Sequence, residues 1–134
     1  MIKKIDHVAI AVSNLEEALS FYEKLFGLKA EKIETIPQQG VKAAIIPVGK
    51  GSEIELIQPI DTTSGVAKFL EKRGEGIHHI SLEVENVDQE LKSLAARGVE
   101  LIDKEPRSGL AGRIAFLHPK STRGILIELC QKVK

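Results

Sequence analysis

The sequence contains an internal repeat with a spacing of 72 or 73 residues. His7 matches His79, 72 positions later, and Glu55 in "IELI" matches Glu128 in "IELC", 73 positions later. Three further pairs keep the same spacing: Asn14 and Asn86, Leu19 and Leu91, and Pro47 and Pro119. A half of about 70 residues cannot close a sheet or bury a core well by itself, so repeats of this kind pack together. The chain is therefore expected to fold as two similar modules.

Each half of the sequence predicts a strand, a helix and three further strands. In the first half, Val8, Ile10 and Val12 alternate with other residues, as in a half-buried strand. The next segment, "SNLEEALSFYEKLFG", has helical spacing of apolar residues, with Ser13 or Asn14 as its cap. Strands follow near residues 28–35, in "VKAAIIPV" and in "EIELIQP". The second half repeats this order in "HHISLEV", "ENVDQELKSLAARG", "VELIDKEP", "RIAFLHP" and "GILIELCQK".

This order predicts an α+β fold of tandem βαβββ modules within a single domain, residues 1–134. Module 1 is expected to span about residues 1–60, and module 2 about residues 77–134. The segment between them, about residues 61–76, is predicted to be a linker that is partly helical at residues 66–72.

The composition argues against several classes of partner. Lysine and arginine total 19, and aspartate and glutamate also total 19, so the chain lacks the excess positive charge that nucleic acid or an anionic membrane surface attracts. The single cysteine, Cys130, cannot form an internal disulfide and is predicted to be a buried, unreactive thiol. The segment "MIKKIDHVAIAV" enters a strand pattern without an apolar leader, which favours a cytoplasmic location.

Strand alternation predicts that four chemically useful side chains share one face. Apolar residues on the first and last strand of each module are expected to face the helices, so the residues that alternate with them face the other way. These residues are His7, Glu55, His79 and Glu128. Two imidazoles and two carboxylates suit a divalent cation that keeps positions open for water or substrate.

Each of these residues also has an ordinary structural interpretation. A His at the start of a strand is most often a hydrogen-bonded residue, and a Glu that alternates with Ile most often lies on a solvated sheet face. The recurrence of both types at matching places in the two halves favours a metal site instead. His78 alternates with His79, so it is predicted to face the helices and to have a structural role.

These residues, together with several motifs, resemble the vicinal oxygen chelate superfamily. The motifs are "DHVAIAV", "FYEKLFGL", "GEGIHHISLEV", "FLHPKSTRGILIEL" and "IELIQP", and the resemblance covers essentially the whole chain. It implies a curved, cup-like mixed sheet with the helices on its outer face. It also implies one divalent metal ion per chain, with His7, Glu55, His79 and Glu128 as ligands. Cobalt is favoured, with nickel, manganese and zinc as alternatives.

Within this superfamily, "FLHPK" and "GIHHI" are similar to motifs of the methylmalonyl-CoA epimerases. The resemblance implies removal and return of the proton α to the thioester carbonyl of a CoA substrate. Glu55 and Glu128 are the predicted acid and base, because they come from matching strands of opposite halves. Some members of that family carry a Glu general base at the position of Ala43, so here another group would have to act in its place.

Two other functions stay open at this point. Some epimerases carry Gln at the position of Glu55, and the set of four ligands present here, two His and two Glu, is also that of metal-dependent glyoxalase I, a lactoylglutathione lyase. Proteins that bind and sequester small molecules use the same duplicated fold without metal. The intact set of four ligand types argues against this second alternative.

A basic, turn-rich region near the C-terminus is a candidate for substrate binding. Within "PRSGLAGRIAFLHPKSTRG", the candidates for binding CoA phosphates are Lys120, Arg113, Arg107 and Arg123. His118 is a candidate substrate contact or an outer support for the metal site. Solvated surface charge is the ordinary interpretation of each basic residue. Apolar edges on such modules also predict a homodimer.

Overall fold

The computed structural model describes residues 1–110 and 112–132. Its strands are β1 (Ile2–Ala11), β2 (Lys32–Ile36), β3 (Val41–Val48), β4 (Ser52–Pro59), β5 (Gly76–Val84), β6 (Arg107–Ser108), β7 (Gly112–Leu117) and β8 (Ile127–Lys132). Its α-helices are α1 (Leu15–Phe26), α2 (Gly65–Arg73) and α3 (Val87–Ala96), and short 3₁₀ helices occupy Pro37–Gln39 and Pro119–Ser121. The last two residues of predicted module 2 lie outside the described residues.

The described chain forms two compact units. The first unit comprises residues 7–78, and the second comprises residues 1–6 together with the described residues from 79 onward. The element order is β1-α1-β2-β3-β4 in the first half of the chain and β5-α3-β6-β7-β8 in the second half. The predicted βαβββ order is therefore confirmed in both halves.

In the first unit, the strand order is β2-β3-β4-β1. β1 and β4 are parallel, whereas β3 is antiparallel to both β2 and β4. Leu15 of α1 belongs to a buried cluster with Ile46 of β3 and Leu56 of β4, so the helix covers one face of the strands. Burial of one such aliphatic side chain contributes about 1.5–3 kcal/mol. The opposite face of these strands is left for other side chains.

In the second unit, the strand order is β5-β8-β7-β6. β5 and β8 are parallel, whereas β7 is antiparallel to both β6 and β8. Leu91 of α3 is buried in a cluster with Leu117 and Leu129, which places α3 on one face of the strands. A separate buried cluster on the other face contains Phe116 and Cys130. This unit therefore repeats the layering of the first.

The two helices that follow β1 and β5 begin in the same way. The side chain of Asn14 accepts a hydrogen bond from the third residue of α1, and that of Asn86 does the same for α3, at 3.0 and 3.1 Å. The first N–H of α1 donates to Oε1 of Gln58 at 2.7 Å, and the first N–H of α3 donates to Oε1 of Gln131 at 2.9 Å. Each module thus fixes its helix to its own last strand, with residues that repeat in the sequence.

The predicted strand in "VELIDKEP" is wrong. Leu101 forms only an isolated bridge to Leu117, and the strand of this region, β6, starts later and has two residues. The N–H groups of Ile102 and Asp103 both donate to the carbonyl of Phe116, at 3.0 and 3.2 Å. Oδ2 of Asp103 accepts the N–H of Phe116 at 2.8 Å, so a side chain takes the place that a paired backbone carbonyl would have.

The helical part of the predicted linker is confirmed, and one predicted strand is shorter than expected. α2 covers residues 65–73, and the hydroxyl of Ser64 caps it by accepting from the N–H of Ala67 at 3.1 Å. β2 begins at Lys32, and Leu28 and Ala30 before it pack against the cluster beneath α1. No helix of the described chain is long and apolar enough for a membrane crossing.

Candidate functional site

The face of the first unit that is turned away from α1 carries a buried His–Glu pair. Ile54 and Leu56 pack toward α1, so Glu55 between them points to the opposite face of β4. Nε2 of His7 on β1 is 3.9 Å from Oε1 of Glu55. The exposed fraction is 5% for His7 and 9% for Glu55. The pair is therefore largely removed from solvent.

Three alanines lie on the same face as this first pair. Ala9 lies directly opposite Glu55 in the parallel pairing of β1 with β4. Ala11 and Ala43 face the same way by strand alternation, and all three alanines are fully buried. Methyl groups on this face leave space beside the pair, and the Ala43 position provides no ionisable group.

The second unit carries the matching pair. Nε2 of His79 on β5 is 3.8 Å from Oε2 of Glu128 on β8. Both residues are buried, and Ser81 lies directly opposite Glu128 in the parallel pairing of β5 with β8. As in the first unit, the apolar neighbours of the Glu face the helix: Leu129 lies in the cluster beneath α3. Strand alternation thus predicted the position of both pairs within their own modules.

An aromatic ring supports His79. The ring centroids of His79 and Phe116 are 5.1 Å apart, and the rings are perpendicular. Phe116 also lies directly opposite Glu128 in the antiparallel pairing of β7 with β8, so it is a neighbour of both His79 and Glu128. Sequence analysis did not single out Phe116. The available indication was that "RIAFLHP" and "GILIELCQK" are consecutive strands, since their antiparallel register sets Phe116 against Glu128.

The donor atoms of each pair fit a divalent metal ion. An Nε2–Oε separation of 3.8 or 3.9 Å is too long for a hydrogen bond between the two groups. Two donors that each lie about 2.1 Å from an ion are at most about 4.2 Å apart, so one ion can bind both atoms of a pair. Imidazole nitrogen and carboxylate oxygen are suitable ligands for borderline divalent ions. The buried residues therefore fit a metal ion of this class.

His78 and Cys130 have surroundings that suit structural roles. The ring of His78 packs against Phe69 of α2, with centroids 5.1 Å apart, which agrees with its predicted orientation toward a helix. Burial lowers the pKa of His78 to about 4, so its imidazole is neutral near pH 7. Cys130 is fully buried, and burial raises the pKa of its thiol to about 12. The prediction that this thiol is buried is confirmed, and its raised pKa agrees with a structural role.

The residues predicted to contact the substrate, Arg113, Lys120 and His118, do not share one environment. Arg113 is exposed and precedes the buried Ile114 on β7, and its guanidinium binds both carboxylate oxygens of Asp88 on α3, at 2.7 and 3.3 Å. This contact places Arg113 on the helix face, opposite to the face of Glu128. Lys120 is exposed in the 3₁₀ helix after β7, and its N–H donates to Nδ1 of His118 at 3.1 Å.

Comparison with known proteins identifies the family. The family model of the glyoxalase/bleomycin resistance protein/dioxygenase superfamily matches residues 6–116. The chain belongs to this superfamily. The match extends from the residue before His7 to Phe116, so this superfamily member has the family pattern across most of both modules.

Methylmalonyl-CoA epimerases are among its most similar relatives. The ethylmalonyl-CoA/methylmalonyl-CoA epimerase of Cereibacter sphaeroides is 38% identical, with 98% of this chain and 99% of the relative covered. The crystal structure of methylmalonyl-CoA epimerase from Mycobacterium tuberculosis gives a TM-score of 0.96 at 37% identity, with 99% of this chain and 90% of that chain covered. A Streptomyces coelicolor methylmalonyl-CoA epimerase variant, in complex with 2-nitronate-propionyl-CoA, gives 0.96 at 35% identity, with 99% and 96% covered. The predicted resemblance and α+β fold class are confirmed.

Proposed function

We propose that this protein is a methylmalonyl-CoA epimerase, which interconverts the two epimers of methylmalonyl-CoA. The observation that carries the proposal is the likeness to epimerases over nearly the whole chain. The buried His–Glu pair in each unit also supports the proposal, because these residues can bind a metal ion and transfer protons. The reaction removes the proton at the carbon α to the thioester and returns one on the opposite face. It therefore needs stabilisation of an enolate and an acid or base on each side.

The proposed metal site uses both pairs. One divalent ion per chain is bound by His7, Glu55, His79 and Glu128, and cobalt is favoured over nickel, manganese and zinc. Support comes from the repetition of the same donor types in the two units, with each pair buried and spaced for a shared ion. When bound, the ion supplies a Lewis acid for the negative charge that develops on the thioester oxygen.

Glu55 and Glu128 are the proposed acid and base. They occupy matching positions on β4 and β8, and each is buried beside an imidazole. For one turnover, one of them must start as the ionised base and the other as the protonated acid. Inversion requires one of them to take the proton and the other to donate one to the opposite face of the planar intermediate.

Lys120 and His118 are proposed to contact the CoA part of the substrate. Both lie just after β7, and the exposed ammonium of Lys120 suits a phosphate. Arg113 can take part only after its ion pair with Asp88 opens. The enzyme is proposed to act as a cytoplasmic homodimer without nucleic acid or membrane partners, and its balanced charge supports the last point.

Metal analysis combined with proton exchange tests this function. The protein is loaded with Co²⁺, freed of excess metal, and analysed for metal per chain, with about one ion expected. It is then offered a single epimer of methylmalonyl-CoA in deuterated water, and NMR follows α-deuteration and inversion. The same protein is offered a glutathione hemithioacetal. Turnover of the hemithioacetal alone would replace the proposal with a glyoxalase I-like lyase, and ligand binding with neither reaction would indicate a sequestering protein.

A further inference from the structure

Arg107 lies on the same face of the second unit as the His79–Glu128 pair. It is directly opposite Ile114 in the antiparallel pairing of β6 with β7, and Ile114 is directly opposite Cys130 on β8. Directly paired residues share a face, and Cys130 shares the face of Glu128, two residues before it. β6 therefore brings a positive charge to the face on which the chemistry is proposed to occur.

Two contacts hold the guanidinium of Arg107 in place. Its central carbon lies 5.5 Å from the ring centroid of Phe116, in a cation–π arrangement. Its Nε donates to Oδ1 of Asp103 at 3.1 Å. Asp103 is itself fixed, because its Oδ2 accepts the backbone N–H of Phe116 at 2.8 Å. Asp103, which orients Arg107, thus comes from the segment "VELIDKEP", where a strand was predicted but is not formed.

The terminal nitrogens of Arg107 remain available for a ligand. Within residues 1–110 and 112–132, the bond from Nε to Asp103 is the hydrogen bond that the structure gives this guanidinium. The two Nη atoms carry four N–H donors in a planar fork, which matches a carboxylate or a phosphate. The side chain is 41% exposed, so an incoming ligand can reach it. Arg113 differs, because both of its Nη atoms are bound to Asp88.

We propose that Arg107 binds an anionic oxygen group of the CoA thioester substrate and orients the substrate beside His79. The inference rests on the proposed function and deepens it. The chain of contacts from Arg107 through the Phe116 ring to the His79 ring joins substrate recognition to the ligand pair. The anionic group is either the carboxylate of the malonyl moiety or a phosphate of CoA, since both present oxygens that a guanidinium fork binds.

Substitution of Arg107, with a matched arginine as control, tests this role. Arg107→Gln should raise KM for methylmalonyl-CoA about 10- to 100-fold, the effect of losing a hydrogen bond to a charged group, while kcat changes less than about threefold. Arg107→Lys keeps the positive charge but lacks the planar fork of the guanidinium, so its KM should lie between those of the wild type and Arg107→Gln. Arg73→Gln is the control, because Arg73 also stacks on a Phe ring, at 5.6 Å, but on α2. Its KM should equal that of the wild type.

Two substrate analogues distinguish the carboxylate from the phosphates. If Arg107 binds the carboxylate, Arg107→Gln should impair a methylmalonyl-pantetheine thioester as much as the CoA substrate. Inhibition by propionyl-CoA, which lacks the carboxylate, should then be unchanged. If it binds a phosphate, the pantetheine substrate should be unaffected and propionyl-CoA inhibition should weaken. Either pattern supports the proposal.

Metal content and thermal unfolding of each variant complete the test. Arg107→Gln should retain the wild-type metal content and melting temperature, because the side chain lies on a short, partly exposed edge strand. A wild-type KM in Arg107→Gln, an equal KM change in Arg73→Gln, or loss of metal in place of a KM change would each overturn the proposal. Wild-type protein that ignores methylmalonyl-CoA would instead show that the proposed function itself is wrong.

Discussion

Each unit carries a His–Glu pair on one face of its own strands, but the charged residue at the edge of that face has the opposite sign in the two units. Glu34 on β2 lies directly opposite Ala43, and Arg107 on β6 lies directly opposite Ile114. The two cross-strand pairs occupy matching places, since Ala43 and Ile114 are each paired with the residue two positions after the ligand Glu of their unit. The repeat therefore preserves the donors for a metal while the charge beside them is reversed.

The residues next to the ligand Glu also differ between the units. Ile45 lies directly opposite Glu55, whereas Phe116 lies directly opposite Glu128 and also contacts the ring of His79. The first unit has three buried alanines on this face, Ala9, Ala11 and Ala43, whereas the second has a buried cluster of Ile114, Phe116 and Cys130. Four pairs of substitutions test how far the two units are equivalent.

Loss of a ligand should have the largest effect. His79→Ala removes one imidazole of a buried pair and should lower metal affinity more than about 100-fold, above the loss caused by removing an outer support. Metal content after gel filtration measures it. His78→Ala is the neighbouring control: it should keep the metal and lose about 1 kcal/mol of stability, because its contact with Phe69 lies toward a helix. Equal metal loss in the two variants would contradict the assignment of faces.

The next largest effect concerns proton transfer by the two matching carboxylates. Glu55→Gln and Glu128→Gln should each keep the metal, since an amide oxygen still coordinates, and should slow inversion roughly 10²- to 10⁴-fold. Each variant should still exchange the α-hydrogen of one epimer with deuterated water. The epimer that exchanges should differ between the two variants, because the missing group lies on opposite sides of the intermediate. Inversion at the wild-type rate in Glu55→Gln would leave Glu55 as a ligand only.

A smaller effect should separate Phe116 from Ile45. Phe116→Leu removes the perpendicular ring contact with His79 and should weaken metal binding about threefold to tenfold. Ile45→Leu keeps the volume at the matching position and should leave metal affinity unchanged. Isothermal titration with Co²⁺ compares them directly. Equal affinities would show that the aromatic ring fills space without supporting the ligand.

The smallest effect should be the same in both units. Gln58→Ala and Gln131→Ala each remove the acceptor for the first N–H of a helix, and each should cost about 1 kcal/mol in the free energy of unfolding. Urea denaturation measures the two losses. Losses that differ more than about twofold would show that the helix attachments are equivalent in geometry but not in energy.

The sequence was enough to predict those parts of the candidate site that depend on the alternation of residues along a single strand. Alternation along one strand was enough to orient His7 and Glu55 relative to α1, and the repeat extended the argument to the second module. The contact of Phe116 with His79 depends on the register between strands, which single-strand patterns do not contain. The strand predicted before β6 is absent where the carboxylate of Asp103, and not a backbone carbonyl, accepts the N–H of Phe116. The β-propensity of "VELIDKEP" predicts a strand, but this hydrogen bond, made by a distant part of the chain, is not part of that local pattern.

The short edge of the second unit also bears on how molecules of this protein can associate. A sheet is extended by a second molecule only where an edge strand offers several successive N–H and C=O groups. β6 offers two residues, and the segment before it turns its own N–H groups inward to the carbonyl of Phe116. This edge is therefore a poor template for intermolecular strand pairing and for aggregation. The proposed homodimer would therefore have to use a surface other than the β6 edge.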